Sequence, residues 1–284
     1  MIKVLVTGAN GQLGREIQSL TQSDGDFRFL FTDIDTLDIT DRNAVACFFS
    51  LEKPSFVVNC AAFTAVDRAE EEKELAFLLN AVAPGILASE CQTLAAGLIH
   101  ISTDYVFDGS GNRPYVEDDS VNPLGVYGKT KREGEVVVLE NPETIVIRTS
   151  WLYSPFGNNF AKTMIRLGKE RETLHVVFDQ VGTPTYAHDL AAAILNIIRK
   201  GKSAWTPGIY HYSNEGVCSW YDFALAVHRM AGISCRVFPV ESKDFPTPTV
   251  RPHYSVLNKQ KIKSTFGIEI PYWMDSLKDC IQRI

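Results

Sequence analysis

Gly8-Ala9-Asn10-Gly11-Gln12-Leu13-Gly14 follows the apolar run Ile2-Lys3-Val4-Leu5-Val6 and leads directly into Arg15-Glu16-Ile17-Gln18-Ser19-Leu20, which has the composition of a helix. Strand, glycine-rich turn and helix in this order make a phosphate cradle. Backbone N–H groups approach a pyrophosphate at the positive end of the helix, and a side chain at Gly8, Gly11 or Gly14 would obstruct the turn, the ligand or the packing of helix on strand. The implied ligand is a dinucleotide. The same glycines also serve as plain strand-to-helix punctuation, so the next strand carries weight. Phe27-Arg28-Phe29-Leu30-Phe31-Thr32 is β-like and ends at Asp33, at about the twenty-residue distance where a carboxylate reaches the adenosine ribose. A turn carboxylate beside Asp35 and Asp38 is the other reading of Asp33.

Outward from this unit, the apolar runs 55–60, 97–102 and 144–148 alternate with helical patterns at 41–52, 68–95 and 126–140. Near-continuous apolar strands separated by helices predict a parallel sheet covered on both faces, a doubly wound α/β (Rossmann) domain over residues 1–150. Beyond 150 the pattern changes to scattered aromatics, Gly and Pro. Residues 151–284 are expected to form a smaller α/β substrate lobe interleaved with the first domain, to which a strand and helix near 173–200 return. Leu190, Ile194, Ile197 and Ile198 line one face of that helix, and Arg199, Lys200 and Gly201 mark its end. The cleft between the lobes falls at the carboxyl ends of the strands.

The 284 residues are 45% hydrophobic and 22% charged, with a formal charge of −6. That balance suits a globular protein and disfavours nucleic acid or a membrane surface as partner. No stretch reads as a signal peptide or a membrane span. The six cysteines show no metal-site or redox spacing and are expected as buried free thiols in a reducing cytoplasm.

Tyr127 and Lys131 lie one helical turn apart. A phenol with a pKa of about 10 is a poor proton donor or acceptor at neutral pH, and a neighbouring ammonium stabilises its phenolate. A surface pair is the ordinary alternative; the position after a nucleotide-binding half favours catalysis. Thr103, in Ser102-Thr103-Asp104-Tyr105-Val106-Phe107, supplies a hydroxyl at the end of the strand 97–102, either to polarise a carbonyl or to cap its own loop. His100 is expected in or beside the core.

These motifs resemble the extended short-chain dehydrogenase/reductases, whose spacing between the first two glycines this turn shares, and within them the dTDP-4-dehydrorhamnose reductases. The more specific blocks are Asn59-Cys60-Ala61-Ala62-Phe63-Thr64-Ala65-Val66-Asp67, Ser102 to Phe107, Arg148-Thr149-Ser150-Trp151-Leu152-Tyr153, Gly157 to Met164, Asp179 to Thr185 and Arg251 to Asn258. The resemblance implies reduction of the 4-keto group of dTDP-4-dehydro-L-rhamnose by NADPH or NADH, with Tyr127, Lys131 and Thr103 catalytic. It implies Gly11, Gln12 and Leu13 at the pyrophosphate, Asp33 at the ribose, Asp38 and Ile39 beside the adenine, and Ala62, Phe63 and Thr64 along the cofactor path. Phe63 stands where some relatives carry histidine. Tyr127 and Lys131 would face the nicotinamide ribose, and Thr103, Asp104 and Trp151 would contact the sugar. Arg251 is expected at the diphosphate, or else in a structural ion pair. Asp33 favours NADH and Arg15 the 2′-phosphate of NADPH, so both cofactors stay open. Glu16 and Asp189 match acidic positions that in some relatives hold a Mg²⁺-bridged homodimer, and equally suit helix-start charges. Two alternatives remain: another extended nucleotide-sugar epimerase or dehydratase, and a non-catalytic regulatory subunit of the methionine adenosyltransferase type.

Overall fold

The computed structural model describes residues 1–22 and 25–284. The first five apolar runs form β1 (Ile2–Thr7), β2 (Phe27–Thr32), β3 (Phe56–Asn59), β4 (Gly97–Thr103) and β5 (Thr144–Thr149). With the strand Gly208–His211 they make a six-stranded sheet in the order 208–211, β5, β4, β3, β1, β2. Every neighbouring pair is parallel. β3 and β5 are buried along their whole length, as a sheet covered on both faces requires. Leu13 and Ile17 of the helix Gln12–Leu20 (α1) pack on one face together with Leu190 and Ile194 of the helix Ala187–Arg199. Val45, Phe49, Ile86 and Leu87 cover the other face. The architecture is the expected doubly wound Rossmann type. β1 has β2 on one side and β3 on the other, so the chain reverses direction across the sheet there and leaves a crevice beyond the carboxyl ends of the strands.

Three expectations are corrected. The strand near 173 does not return to this sheet: Thr173–Val177 pairs in parallel with Arg236–Val240, and Gly208–His211 is the strand that joins β5. Thr173–Val177 is buried only at alternate positions, which fits a sheet edge with one face in the second core. That core gathers Met164, Leu174, Phe223, Val237, Trp273 and Leu277. The helix 187–199 does return to the main sheet and ends before Gly201, whose φ is +73°.

The helical pattern 68–95 divides into a short helix, Val66–Ala69, and a longer helical stretch from Lys73 to Thr93 with a π-turn at Leu78–Val82. By length and composition this 21-residue stretch is apolar enough to cross a membrane, contrary to the sequence reading. Half of that stretch is buried within the fold, with Ala76, Ala81, Ile86, Leu87 and Cys91 covered and Leu75, Phe77 and Val82 exposed. The π-turn also brings the Asn80 carbonyl against the helix Val126–Val138, where a Cβ on Gly134 would lie 2.0 Å from it. Only glycine permits that approach.

The third correction concerns the thiols. All six cysteines are free, but Cys47 is exposed and Cys60 only partly covered.

Candidate functional site

Gly8 sits at φ +65°, and a Cβ there would fall 2.6 Å from the Ala61 nitrogen; one on Gly14 would fall 2.6 Å from Ala9 Cα. The turn therefore closes against the start of the 61–64 segment with no room for side chains. Gly11 is the N-cap of α1 and brings no side chain to its first N–H groups, leaving them for an external acceptor. This cradle fits the pyrophosphate of a dinucleotide. Leu13 is buried in the core, so only its backbone is available to a ligand. Gln12 Oε1 accepts from Asn159 Nδ2 at 2.9 Å, which ties the turn to the second lobe.

Asp33 Oδ2 accepts from the Asn10 N–H at 2.8 Å and Oδ1 from the Ile34 N–H at 2.9 Å. The carboxylate thus locks β2 to the glycine turn and keeps lone pairs for a further donor. Asp38 is exposed and accepts from both the backbone and the hydroxyl of Thr40, while Ile39 is buried. The Arg15 guanidinium lies over the Phe156 ring at 5.8 Å.

Thr103 and Asp104 stand where β4 ends, and Tyr127 begins the helix that crosses it. The Tyr127 phenol lies by the Thr103 side chain, whose hydroxyl donates to Asp104 Oδ1 at 3.1 Å. Burial pushes the Tyr127 phenol up to about 12 against the opposing Thr103 hydrogen bond. The phenol therefore carries its proton at neutral pH. Lys131 is 2% exposed, its Nζ donates to the Ile101 carbonyl at 2.6 Å, and burial brings it down to about 8. Burial raises Asp104 to about 6 against the Ser255 and Thr103 hydroxyls.

Asn80 holds this centre to the 61–64 segment. Its amide accepts from the Phe63 N–H at 2.9 Å, donates to the Phe63 carbonyl at 3.1 Å and donates to Thr130 Oγ1 at 3.1 Å. Phe63 in turn packs near Val126 and Tyr127, an apolar contact in place of any polar role, with Ala62 partly covered and Thr64 exposed beside it. The sequence reading missed Asn80; a lone amide in Leu78-Leu79-Asn80-Ala81-Val82 was the available signal.

On the second lobe Trp151 takes φ +47°, a conformation rare for a bulky residue, and stacks on Trp220 with ring centroids 3.6 Å apart. Arg251 pairs with Asp67 at 2.9 Å, the structural alternative of the sequence reading. Its loop is pinned further by Thr249 Oγ1 donating to the Val66 carbonyl at 3.2 Å.

Glu16 and Asp189 are not brought together as cation ligands. The fully buried Glu16 carboxylate accepts from Ser154 at 2.8 Å and from Arg283 at 3.1 Å, and meets His188 Nδ1 at 3.1 Å. Asp189 Oδ2 accepts from Asn214 at 2.7 Å and Ser276 at 2.5 Å. Both bonds to Asp189 fall on one oxygen, and among the described residues no group of three or more His, Cys, Asp or Glu could hold a metal ion.

Residues 2–284 match the model of the family described as RmlD substrate binding domain. The chain belongs to that family. Among RmlD-family relatives, a dTDP-4-dehydrorhamnose reductase of Aggregatibacter actinomycetemcomitans is 40% identical, the match covering 98% of each chain. A crystal structure of a dTDP-4-dehydrorhamnose reductase from Clostridium acetobutylicum superposes with a TM-score of 0.95 at 47% identity, covering 99% of both chains. The Bacillus anthracis reductase, solved in complex with NADP, gives 0.95 at 38% identity over 100% of both chains.

Proposed function

We propose that this chain is an NAD(P)H-dependent oxidoreductase that reduces the 4-keto group of dTDP-4-dehydro-L-rhamnose to dTDP-L-rhamnose. The observation that carries the reading is the cluster at the end of β4, where Thr103 and the half-buried Tyr127 stand together and the buried Lys131 lies one turn along the same helix. Relatives bearing this activity in their names match along nearly the whole chain.

When bound, NADPH or NADH supplies a hydride to the sugar carbon. Gly8, Gly11, Gly14 and the backbone of Gln12 and Leu13 hold the pyrophosphate; Asp33 takes the adenosine ribose, Asp38 and Ile39 flank the adenine, and Ala62, Phe63 and Thr64 border the path to the nicotinamide. Tyr127, protonated at neutral pH, gives its proton to the oxygen as alkoxide charge develops there, and solvent later returns one to the phenolate. Thr103 turns its hydroxyl from Asp104 to the carbonyl oxygen and stabilises the same charge. Lys131 as ammonium stabilises the transient phenolate and binds ribose hydroxyls. Asp104, Trp151 and Arg251 contact the nucleotide sugar. In this division of labour, residues 1–150 with the returning elements carry the cofactor, and the lobe within 151–284 carries the sugar nucleotide. The partner is a small molecule and the compartment the cytoplasm.

The test follows NADPH and NADH oxidation separately with the ketosugar made in situ, and identifies the product by NMR. Oxidation with both cofactors and formation of dTDP-L-rhamnose is the expected result. No ketosugar-dependent oxidation with either would overturn the reading.

A further inference from the structure

The helix Val126–Val138 carries Tyr127, Lys131 and Glu135 one turn apart on one face, and each meets one of three consecutive residues at the end of β4. Tyr127 lies by Thr103, Lys131 Nζ donates to the Ile101 carbonyl, and Glu135 Oε1 accepts from Ser102 Oγ at 2.6 Å. The first two belong to the proposed chemistry; the third has no part in it so far. Glu135 is completely buried. Arg148, which lies beside Ser102 across the β4–β5 ladder, grips it with two bonds, Nε to Oε1 at 2.8 Å and a second guanidinium nitrogen to Oε2 at 2.9 Å. Arg132 adds a further bond to Oε2 at 2.9 Å.

A buried ion pair is a poor device for stability alone, because desolving both charges offsets most of their attraction. This one joins the Tyr127 helix, β4 and β5 at the residue adjoining Thr103. We propose that Glu135 is the positioning residue of the site: bonded to Ser102 and Arg148 it clamps the end of β4 beside Thr103, and from one turn along the same helix it serves as counter-charge to Lys131. The inference rests on the role given to Lys131 above.

The electrostatic half follows from what surrounds Lys131. Its hydrogen-bond partner is a neutral carbonyl, and burial favours the neutral amine. Its own helix carries Tyr127, Arg132 and Glu135 with the exposed Lys129 and Glu133, and the strands beneath carry His100 and Arg148, with Asp104 at the turn beyond β4. His100 is neutral, held well below its usual range by burial and the Lys131 charge. Glu135 is the neighbour whose charge raises Lys131 against burial. Removing that charge must move Lys131 further down, and a function that needs the ammonium is then lost at lower pH.

Glu135→Gln keeps the shape and an acceptor for Ser102 while removing the charge. The decisive readout is the Nζ titration of Lys131 by NMR in the full chain without cofactor or substrate, joined to the pH profile of kcat. The Lys131 titration is expected to move acidward from about 8 by about one unit, the scale of one nearby charge. The alkaline limb of kcat should follow it, with NADPH affinity at pH 6.5 unchanged. A folded variant whose Lys131 titration and alkaline limb both stay in place would overturn the proposal. Ser102→Ala tests the clamp alone even where Glu135→Gln fails to fold: it should lower kcat several-fold with the Lys131 titration unmoved, and an unchanged kcat would overturn the clamp. The titration decides the point about Glu135 even in a protein that lacks ketosugar reductase activity, so failure of one reading is separable from failure of the other.

Discussion

The glycine turn and the loop that carries Arg251 are built in opposite ways. The turn is closed by the ends of the two strands beside β1, with Asn10 bonded to Asp33 after β2 and Gly8 seated on Ala61 after β3. The loop is held by residues more than 180 positions away, Thr249 on Val66 and Arg251 on Asp67. A turn packed backbone on backbone against the adjoining strands leaves no space for a side chain, and substitutions in it act on that packing. A loop fastened by a few distant polar contacts forms only when the chain has closed, and its loss should cost ligand affinity more than fold.

Tyr127, between these regions, is where the largest effect is expected. Tyr127→Phe should lower kcat by at least ~10²-fold, because only proton transfer in the transition state is lost. Cofactor affinity by fluorescence titration should hardly change, and near-normal turnover by the folded variant would remove the proposed acid.

Gly14→Ala sharpens the contrast from the local side. The methyl has nowhere to go, and overpacking of this kind costs about 1–3 kcal/mol, so urea unfolding should register that loss together with abolished NADPH binding. Wild-type affinity in this variant would mean that the turn adapts and the cradle is not rigid.

Arg251→Ala sharpens it from the distant side. The KM for sugar nucleotide should rise by the equivalent of about 1.5–3 kcal/mol, with stability and cofactor affinity nearly unchanged. Asp67→Ala serves as the control: if it reproduces the whole effect, Arg251 acts by fastening the loop and not by touching phosphate.

The smallest effect is expected at Asp33. Asp33→Ser removes repulsion against a 2′-phosphate and should shift the kcat/KM ratio several-fold toward NADPH. Since Asp33 also holds the Asn10 N–H, both affinities should fall somewhat. A fixed ratio would confine the carboxylate to the turn.

The same contrast explains what could be read from the chain. The cradle, Thr103 and the Tyr127–Lys131 pair were legible because their geometry is set within one strand, one turn or one helix. The strand Gly208–His211 was not, being four residues long and opening on glycine, whereas Thr173–Val177 looks more strand-like and belongs to another sheet. The saturation of Glu16 by Arg283 and the ion pair of Arg251 with Asp67 join residues far apart in sequence, so no local pattern announces them. The burial that raises the Tyr127 phenol is likewise not announced by helical spacing.

The central claim, net hydride transfer to a ketosugar by this site, is tested most directly by isotope. Wild-type protein is given dTDP-4-dehydro-L-rhamnose and NADPH carrying deuterium at the transferable nicotinamide position, and the sugar product is examined by NMR and mass spectrometry. The account predicts one deuterium at C4 of dTDP-L-rhamnose for each NADPH oxidised. Label retained in the cofactor with the sugar epimerised, or no reaction at all, would contradict it.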